Sequence, residues 1–409
     1  MYRWVLASAF FFIGLIAYMD RANISVVASF IMNEFHIDKT TFGMLNSLFF
    51  LAYALGQIPA GILTQKLGNK TMIILGLFFW SIFTILTPLA SSFLMLCIIR
   101  ILFGLGESPI FVSSTAFNNN WFGTKEKAMA ASFVLAGSYF GPVIAPFISV
   151  WLLENYGWQS VFYVFGCVGL IIALIFYIFS SSSPENNKFI SKKELNFILK
   201  ERFNDDNNKT TWKNFLKNKE LYALGIAYFC VIYIYGMFMV WLPTFLLEAK
   251  GMDLKSMGIY AGAPWLCLSI AVAFTGFASD KILKFTNDYI KARIHLAILG
   301  LLLFAISVYF VVYSNSFFIS ILALSLGFGF IGFPIVTCWA MCIDKGRKQA
   351  ATLSAYMNFY GCIGTTISPL VIGYIVENYN WNLAILINLI PAAIGILALF
   401  FVKPQNQAV

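Results

Sequence analysis

The chain is short of charge for its length. Of its 409 residues only 11% are Asp, Glu, Lys or Arg, against about a quarter in a soluble domain. Beside 60% apolar residues and a mean hydropathy of +0.80, that shortage excludes one water-soluble core, because lipid has to solvate the excess apolar surface. Histidine is scarcer still. His36 and His295 lie far apart in polar connections, which excludes a histidine-built metal site and leaves no partner for a nucleophile–base cluster. Neither an enzyme nor a cofactor is expected. The seven cysteines (97, 167, 230, 267, 338, 342 and 362) all fall inside apolar runs, without the loop spacing of zinc or disulfide frameworks, and read as packing residues. Repeated filter segments, which a channel needs for its charge or carbonyl rings, are also missing.

What is present is a succession of long apolar runs. Polar punctuation divides them into twelve predicted spans, over 4–32, 42–64, 71–90, 93–117, 127–152, 158–180, 219–247, 256–278, 294–313, 316–342, 350–376 and 381–402. About 20 apolar residues cross a bilayer as a helix. The apolar pattern after Arg3 resumes beyond Asp20-Arg21, so the N-terminus reads as a first transmembrane helix and not a cleaved leader. A charged stretch over 181–218, opening on serines and Pro184, separates spans six and seven. The expected fold class is therefore all-α integral membrane: an N-terminal six-helix bundle (1–180), a cytoplasmic linker (181–218) with short surface helices such as Ser191–Arg202, and a C-terminal six-helix bundle (219–409).

The net charge of +9 would suggest nucleic acid in a soluble protein. Its distribution gives another origin. With both termini inside, the cytoplasmic segments hold Arg3, Lys66, Lys70, Lys125, Lys127, nine residues between Lys188 and Lys219, Lys281, Lys284, Lys291, Arg293, Lys345, Arg347, Lys348 and Lys403. That is 22 of 27 basic residues, while the outer loops hold Lys39, Lys250 and Lys255. The positive-inside bias sets the orientation, and no nucleic-acid partner is needed.

An internal repeat runs through the chain. Gly141, Pro146, Glu154, Asn155, Tyr156 and Trp158 recur 223 residues later as Gly364, Pro369, Glu377, Asn378, Tyr379 and Trp381, and Gly104-x-Gly106 recurs as Gly327-x-Gly329. Secondary transporters are commonly built from such duplicated halves, with substrate sites near the midplane.

The loop after span two, Gly61-Ile-Leu-Thr-Gln65-Lys-Leu-Gly68-Asn-Lys70, resembles the signature loop of the major facilitator superfamily, with Gln65 where that family usually has Asp. The second half keeps a version of it at Gly276-Phe-Ala-Ser-Asp280-Lys281. Within the superfamily the chain resembles the anion:cation symporters, which include bacterial galactonate, glucarate and hexuronate permeases and vesicular glutamate and sialic acid carriers. The resemblance rests on Tyr18-Met-Asp20-Arg21-Ala-Asn23, Tyr53-Ala-Leu-Gly-Gln57-Ile-Pro59-Ala-Gly61, Arg100-Ile-Leu-Phe-Gly-Leu-Gly-Glu107-Ser-Pro109, Trp121-Phe122 and Trp241-Leu-Pro243-Thr244. It departs at Val112, where the family has Pro.

Two acids, Asp20 and Glu107, and two bases, Arg21 and Arg100, lie deep inside predicted spans. At about 1.5 Å per residue, Asp20 lies about 25 Å along span one. Each such charge costs at least about 2.5–3.5 kcal/mol on insertion scales, so intramembrane charges normally face a cavity and serve function. The alternative is that they merely pair to lock spans one and four. Against it, the repeat has Ala323 and Phe330 at the positions of Arg100 and Glu107. Arginine offers a planar fork that matches a carboxylate, which makes Arg21 and Arg100 the anion contacts; the resemblance implies substrate binding at Arg21. A carboxylate taken out of water holds a proton more readily, so Asp20 and Glu107 are the expected proton carriers, a role the resemblance also implies. Tyr18 and Tyr53 match substrate-site tyrosines of the family, with packing as the alternative. Asn358 is a costly polar group in span eleven and is assigned to the cavity, with a helix–helix hydrogen bond as the alternative; Ser138, Tyr235, Thr337 and Trp339 are assigned to the cavity as well.

The expected function is a proton-coupled symporter that imports a small organic anion, such as a sugar acid, by alternating access. Moving one net charge is worth about 2.3 kcal/mol per 100 mV, so a monoanion needs two protons for net positive inward movement. An exporter of a larger carboxylate metabolite, such as a siderophore, is the rival on the same fold. The expected setting is a bacterial inner membrane, as a monomer with protons, the anion and lipid as its only partners.

Overall fold

The computed structural model describes residues 1–123, 126–201, 219–346 and 350–402, and all secondary structure among them is helical. Part of the linker (202–218, including the end of the expected Ser191–Arg202 helix) and Lys125, Arg347, Lys348 and Lys403 lie outside the described residues. Among the described residues, twelve helices are long and apolar enough to cross a membrane: Tyr2–Val26, Lys39–Leu67, Asn69–Leu89, Phe93–Trp121, Met129–Tyr156, Gln159–Phe179, Lys219–Glu248, Leu254–Thr286, Ile290–Tyr313, Phe317–Lys345, Thr352–Asn378 and Trp381–Phe400. They are called spans one to twelve.

The twelve apolar runs all become helices, and the differences lie at their ends. Span one stops at Val26 and a short helix, Ala28–Glu34, follows a break at Val27. Spans two and three are joined by Gly68 alone, at φ +86. Only glycine adopts that backbone cheaply, so Gln65 and Lys66 of the signature loop belong to the helix. Span four breaks at Ser108, before Pro109. Proline brings no N–H, so the carbonyl of Leu105 loses its helical donor. The Ser108 hydroxyl donates to it instead, at 2.8 Å.

The described residues form two compact units. The first comprises Met1–His36 and Leu48–Asn207, the second Ile37–Ser47 and Asn208–Val409. In the first, span one packs along span five on glycines. A Cβ added to Gly141 would lie 2.5 Å from the carbonyl oxygen of Leu15. Small residues let helix backbones approach closely in lipid, where dispersion replaces the hydrophobic effect. A cluster of Phe10, Phe117, Phe176 and Trp121 fills the space beside this seam. The helix Lys192–Glu201 of the linker is tied to the chain start. Glu194 accepts from the backbone N–H groups of Tyr2 and Arg3 and pairs with the Arg3 guanidinium, which also pairs with Glu126.

In the second unit span seven packs along span eleven in the same manner, the carbonyl of Phe229 lying 2.5 Å from a Cβ added to Gly364. Asp280 of the second signature loop pairs with Arg293, which also binds Asp344. The outset of span two belongs to this unit. Lys39 pairs with Glu248, its N–H donates to Glu377, and Phe42 meets Trp241 edge-on.

Candidate functional site

The first unit gathers most of the intramembrane charge. Glu107 is the last residue before the break in span four, and Arg21 lies near the end of span one. Arg21 Nε donates to Glu107 Oε1 at 2.7 Å, with both residues buried. The pair is made through Nε alone. Arg21 Nη2 and Glu107 Oε2 are buried and have no hydrogen-bond partner among the described residues. The guanidinium carbon stands 4.5 Å from the ring centres of both Tyr18 and Tyr53, and 5.6 Å from that of Phe49. Facing aromatic rings stabilise a desolvated cation by about 2 kcal/mol or more, which helps keep Arg21 charged away from water.

Arg100 shares the Phe49 ring, at 5.3 Å, and lies 5.0 Å from Phe103. No described carboxylate pairs with it, and its Nε is buried without a partner. Seven-residue spacing puts Arg100 and Glu107 on one helix face, yet Glu107 turns to Arg21 on span one.

Asp20 is fully buried and is held by neutral donors. Trp80 Nε1 on span three donates to Oδ2 at 3.2 Å, and Asn23 Nδ2 to Oδ1 at 3.4 Å. The Trp80 ring is fully buried between elements that meet on glycine, a Cβ added to Gly106 lying 2.9 Å from the Trp80 nitrogen.

The fold thus brings Tyr18, Asp20, Arg21, Tyr53, Arg100 and Glu107 together. Ser138 is in the same unit but in the span one–five seam, its hydroxyl donating to the Val134 carbonyl of its own helix. The other sequence candidates are in the second unit. Tyr235 is buried against Trp265 and Phe328. Thr337 is buried and bonded to the carbonyl of Phe333. Trp339, partly exposed, donates to the Tyr228 hydroxyl at 2.9 Å. Asn358 is half-buried, with its amide near the Cys362 sulfur. Phe49 and Trp80 escaped the sequence reading, since aromatic residues are 18% of the chain and one ring more in an apolar run carries no signal. Asn23 closes the span-one motif Tyr18-Met-Asp20-Arg21-Ala-Asn23, which by itself assigns it no role.

A family model for the Major Facilitator Superfamily matches residues 10–369 and, again, 288–409. The chain belongs to the Major Facilitator Superfamily. It is 31% identical, over 92% of its own length and 86% of the relative's, to a probable galactarate/D-glucarate transporter of Bacillus subtilis. It is 27% identical to a probable L-galactonate transporter of Escherichia coli, covering 97% and 88% of the two chains. Solved structures of transporters match in fold. A bacterial homologue of the human lysosomal transporter Spinster has a TM-score of 0.75 at 19% identity, covering 98% of this chain and 95% of that one. A D-xylose-proton symporter has 0.74 at 14% identity, covering 99% and 98%. This major facilitator protein is therefore an integral, multi-pass membrane transporter and not an enzyme, with twelve helices in two six-helix halves, as the apolar runs and the repeat imply.

Proposed function

We propose that the protein is a proton-coupled symporter that imports a small organic anion, a sugar acid or comparable carboxylate, across a bacterial inner membrane with both termini cytoplasmic. One observation carries this reading. Arg21 is held by Glu107 through Nε alone, with one Nη and one carboxylate oxygen of the pair buried and unpartnered among the described residues. Such a pair has a use for each ligand. A proton on Glu107 cancels its charge and loosens its hold on Arg21. The guanidinium fork then meets the substrate's carboxylate bidentately, with Arg100, itself unpaired, as a second anion contact. Tyr18 and Tyr53 fix the plane of the fork. Loss of the proton restores the Arg21–Glu107 pair and expels the anion. Breaking a buried pair without replacement costs about 3–5 kcal/mol, so anion and proton favour each other's binding.

Asp20 supplies a second proton site, which a monoanion needs if the membrane potential is to drive its uptake. Ser138, Tyr235, Thr337, Trp339 and Asn358 stand as proposed substrate-lining candidates. The names of the relatives, probable galactarate/D-glucarate and L-galactonate transporters, support a sugar-acid substrate. The cytoplasmic termini rest on the distribution of basic residues.

Uptake of labelled galactarate, D-glucarate and L-galactonate into proteoliposomes tests the reading. Accumulation of at least one of them is expected when the outside is acidified; with two protons, uptake of the monoanion L-galactonate should grow with an inside-negative potential, whereas uptake of the dianions galactarate and D-glucarate moves no net charge and should not. Arg21→Lys keeps the charge and loses the fork, and should weaken binding of that anion at least tenfold while the protein still inserts and folds. Efflux-only transport, uptake indifferent to the pH gradient, or unchanged affinity in Arg21→Lys would overturn it.

A further inference from the structure

Asp20 needs different partners in its two charge states. A carboxylate only accepts hydrogen bonds, whereas the acid carries one O–H that must donate. Trp80 Nε1–H is a donor alone, so it satisfies Oδ2 in either state but never the acid proton. Asn23 differs. Its Nδ2 faces Asp20 Oδ1, while its Oδ1 is buried and has no partner among the described residues. A half-turn of the carboxamide exchanges donor for acceptor with almost no change of shape. Asp20, Asn23 and Trp80 are all fully buried, so water does not make up for a missing partner, and an unmet polar group there is costly.

The packing of the fold does not require these groups. The approach of Gly141 to the Leu15 carbonyl and Met19 nitrogen (2.5 and 3.1 Å from an added Cβ) recurs as Gly364 with Phe229 and Tyr233 (2.5 and 3.0 Å). That correspondence sets Ile234 where the first half has Asp20 and Met237 where it has Asn23, both buried. Aliphatic side chains fill the same places in the other half.

We propose that Asn23 and Trp80 are positioning residues for a proton on Asp20. Trp80 holds Oδ2 throughout, and the Asn23 carboxamide turns over when Oδ1 takes up the proton. The proton arrives from water, forms the Oδ1–H bond and neutralises the carboxylate; release reverses each change. The inference rests on the proton coupling proposed above. The charged groups facing Asp20 are Glu107 and Arg100 of span four, beside Arg21 on its own helix. Span three has Lys70 as its single charge, bonded to the Ser180 carbonyl. Spans five and six carry no Asp, Glu, Lys or Arg over 128–153 and 159–179, and span five adds Tyr139 near Tyr18.

Infrared difference spectra of the purified full-length protein, recorded against pH, test this without a substrate. The acid C=O band of Asp20 is identified by its loss in Asp20→Asn. A side-chain amide band should change with the same midpoint as that acid band. Asn23→Leu should abolish the amide change and shift the acid band to higher frequency, because the O–H loses its acceptor. Asn23→Ser, whose hydroxyl both donates and accepts, should restore a hydrogen-bonded acid band. Trp80→Phe keeps the ring and loses the donor that favours the carboxylate, so the midpoint should rise by about one pH unit, a tenfold change in proton affinity. A merely structural role would lower the melting temperature of these variants and leave band and midpoint in place, which would overturn the inference. So would an Asp20 that never yields an acid band while the parent performs pH-driven uptake. If the bands behave as stated and uptake ignores the pH gradient, the coupling reading falls and the positioning stands.

Discussion

Glu107 joins a charge to a broken helix. Ser108 and Pro109 interrupt span four just beyond it, and its side chain reaches span one instead of the arginine two turns back on its own helix. Glu107→Gln separates coupling from architecture. The amide keeps volume and an acceptor for Arg21 Nε but cannot be charged. Substrate should still bind and equal-pool exchange should persist, since neither needs a net proton cycle, while pH-driven accumulation collapses. If the charge serves only to hold Arg21, an unpaired buried cation remains. Thermal stability and every transport mode then fall together, by the equivalent of about 3–5 kcal/mol. Melting temperature, exchange and gradient-driven uptake in one preparation decide between these. Full pH-driven accumulation by Glu107→Gln would remove it from the proton path.

The helices owe their close seams to particular glycines. Gly141 and Gly364 put backbone against backbone at corresponding places in the two halves, and an added Cβ meets a carbonyl oxygen at 2.5 Å in each. Backbone cannot step aside as a flexible side chain can. Gly141→Ala and Gly364→Ala should therefore each destabilise by at least about 1–3 kcal/mol, as overpacking does. At Gly61 the nearest atom is Val112 Cγ1 at 3.7 Å, so Gly61→Ala should stay within about 0.5 kcal/mol of the parent. Thermal midpoints in one detergent give the comparison. Equal losses at all three positions would mean that helix propensity, and not the seam, sets the cost. The glycines themselves were legible in the sequence as the repeat; the carbonyls they admit were not, because those belong to helices more than a hundred residues away.

For the whole molecule the orientation is the open quantity, and the basic residues assign it. In a chain stripped of its native cysteines, Asn186→Cys in the linker should react with an impermeant thiol reagent only after the inner face is exposed. Lys255→Cys, exposed at the start of span eight, should react in intact cells. Labelling of Asn186→Cys in intact cells would reverse the assignment, and with it the side from which Glu107 and Asp20 exchange protons.

Twelve membrane-crossing helices, their pairing into repeats and the four intramembrane charges were determined by the sequence alone. Apolar run length, helix rise and the cost of a charge in lipid are local properties, and no neighbour changes them. Partnership was decided only by the tertiary structure. Arg21 takes Glu107, Arg100 keeps aromatic neighbours, and Asp20 is held by Trp80 from another span. Those choices depend on how helices rotate about their axes and where Ser108–Pro109 breaks one of them. A rotation of one residue turns a side chain by about 100°, so the packing of glycine seams, and not the order of residues, selects which charges meet.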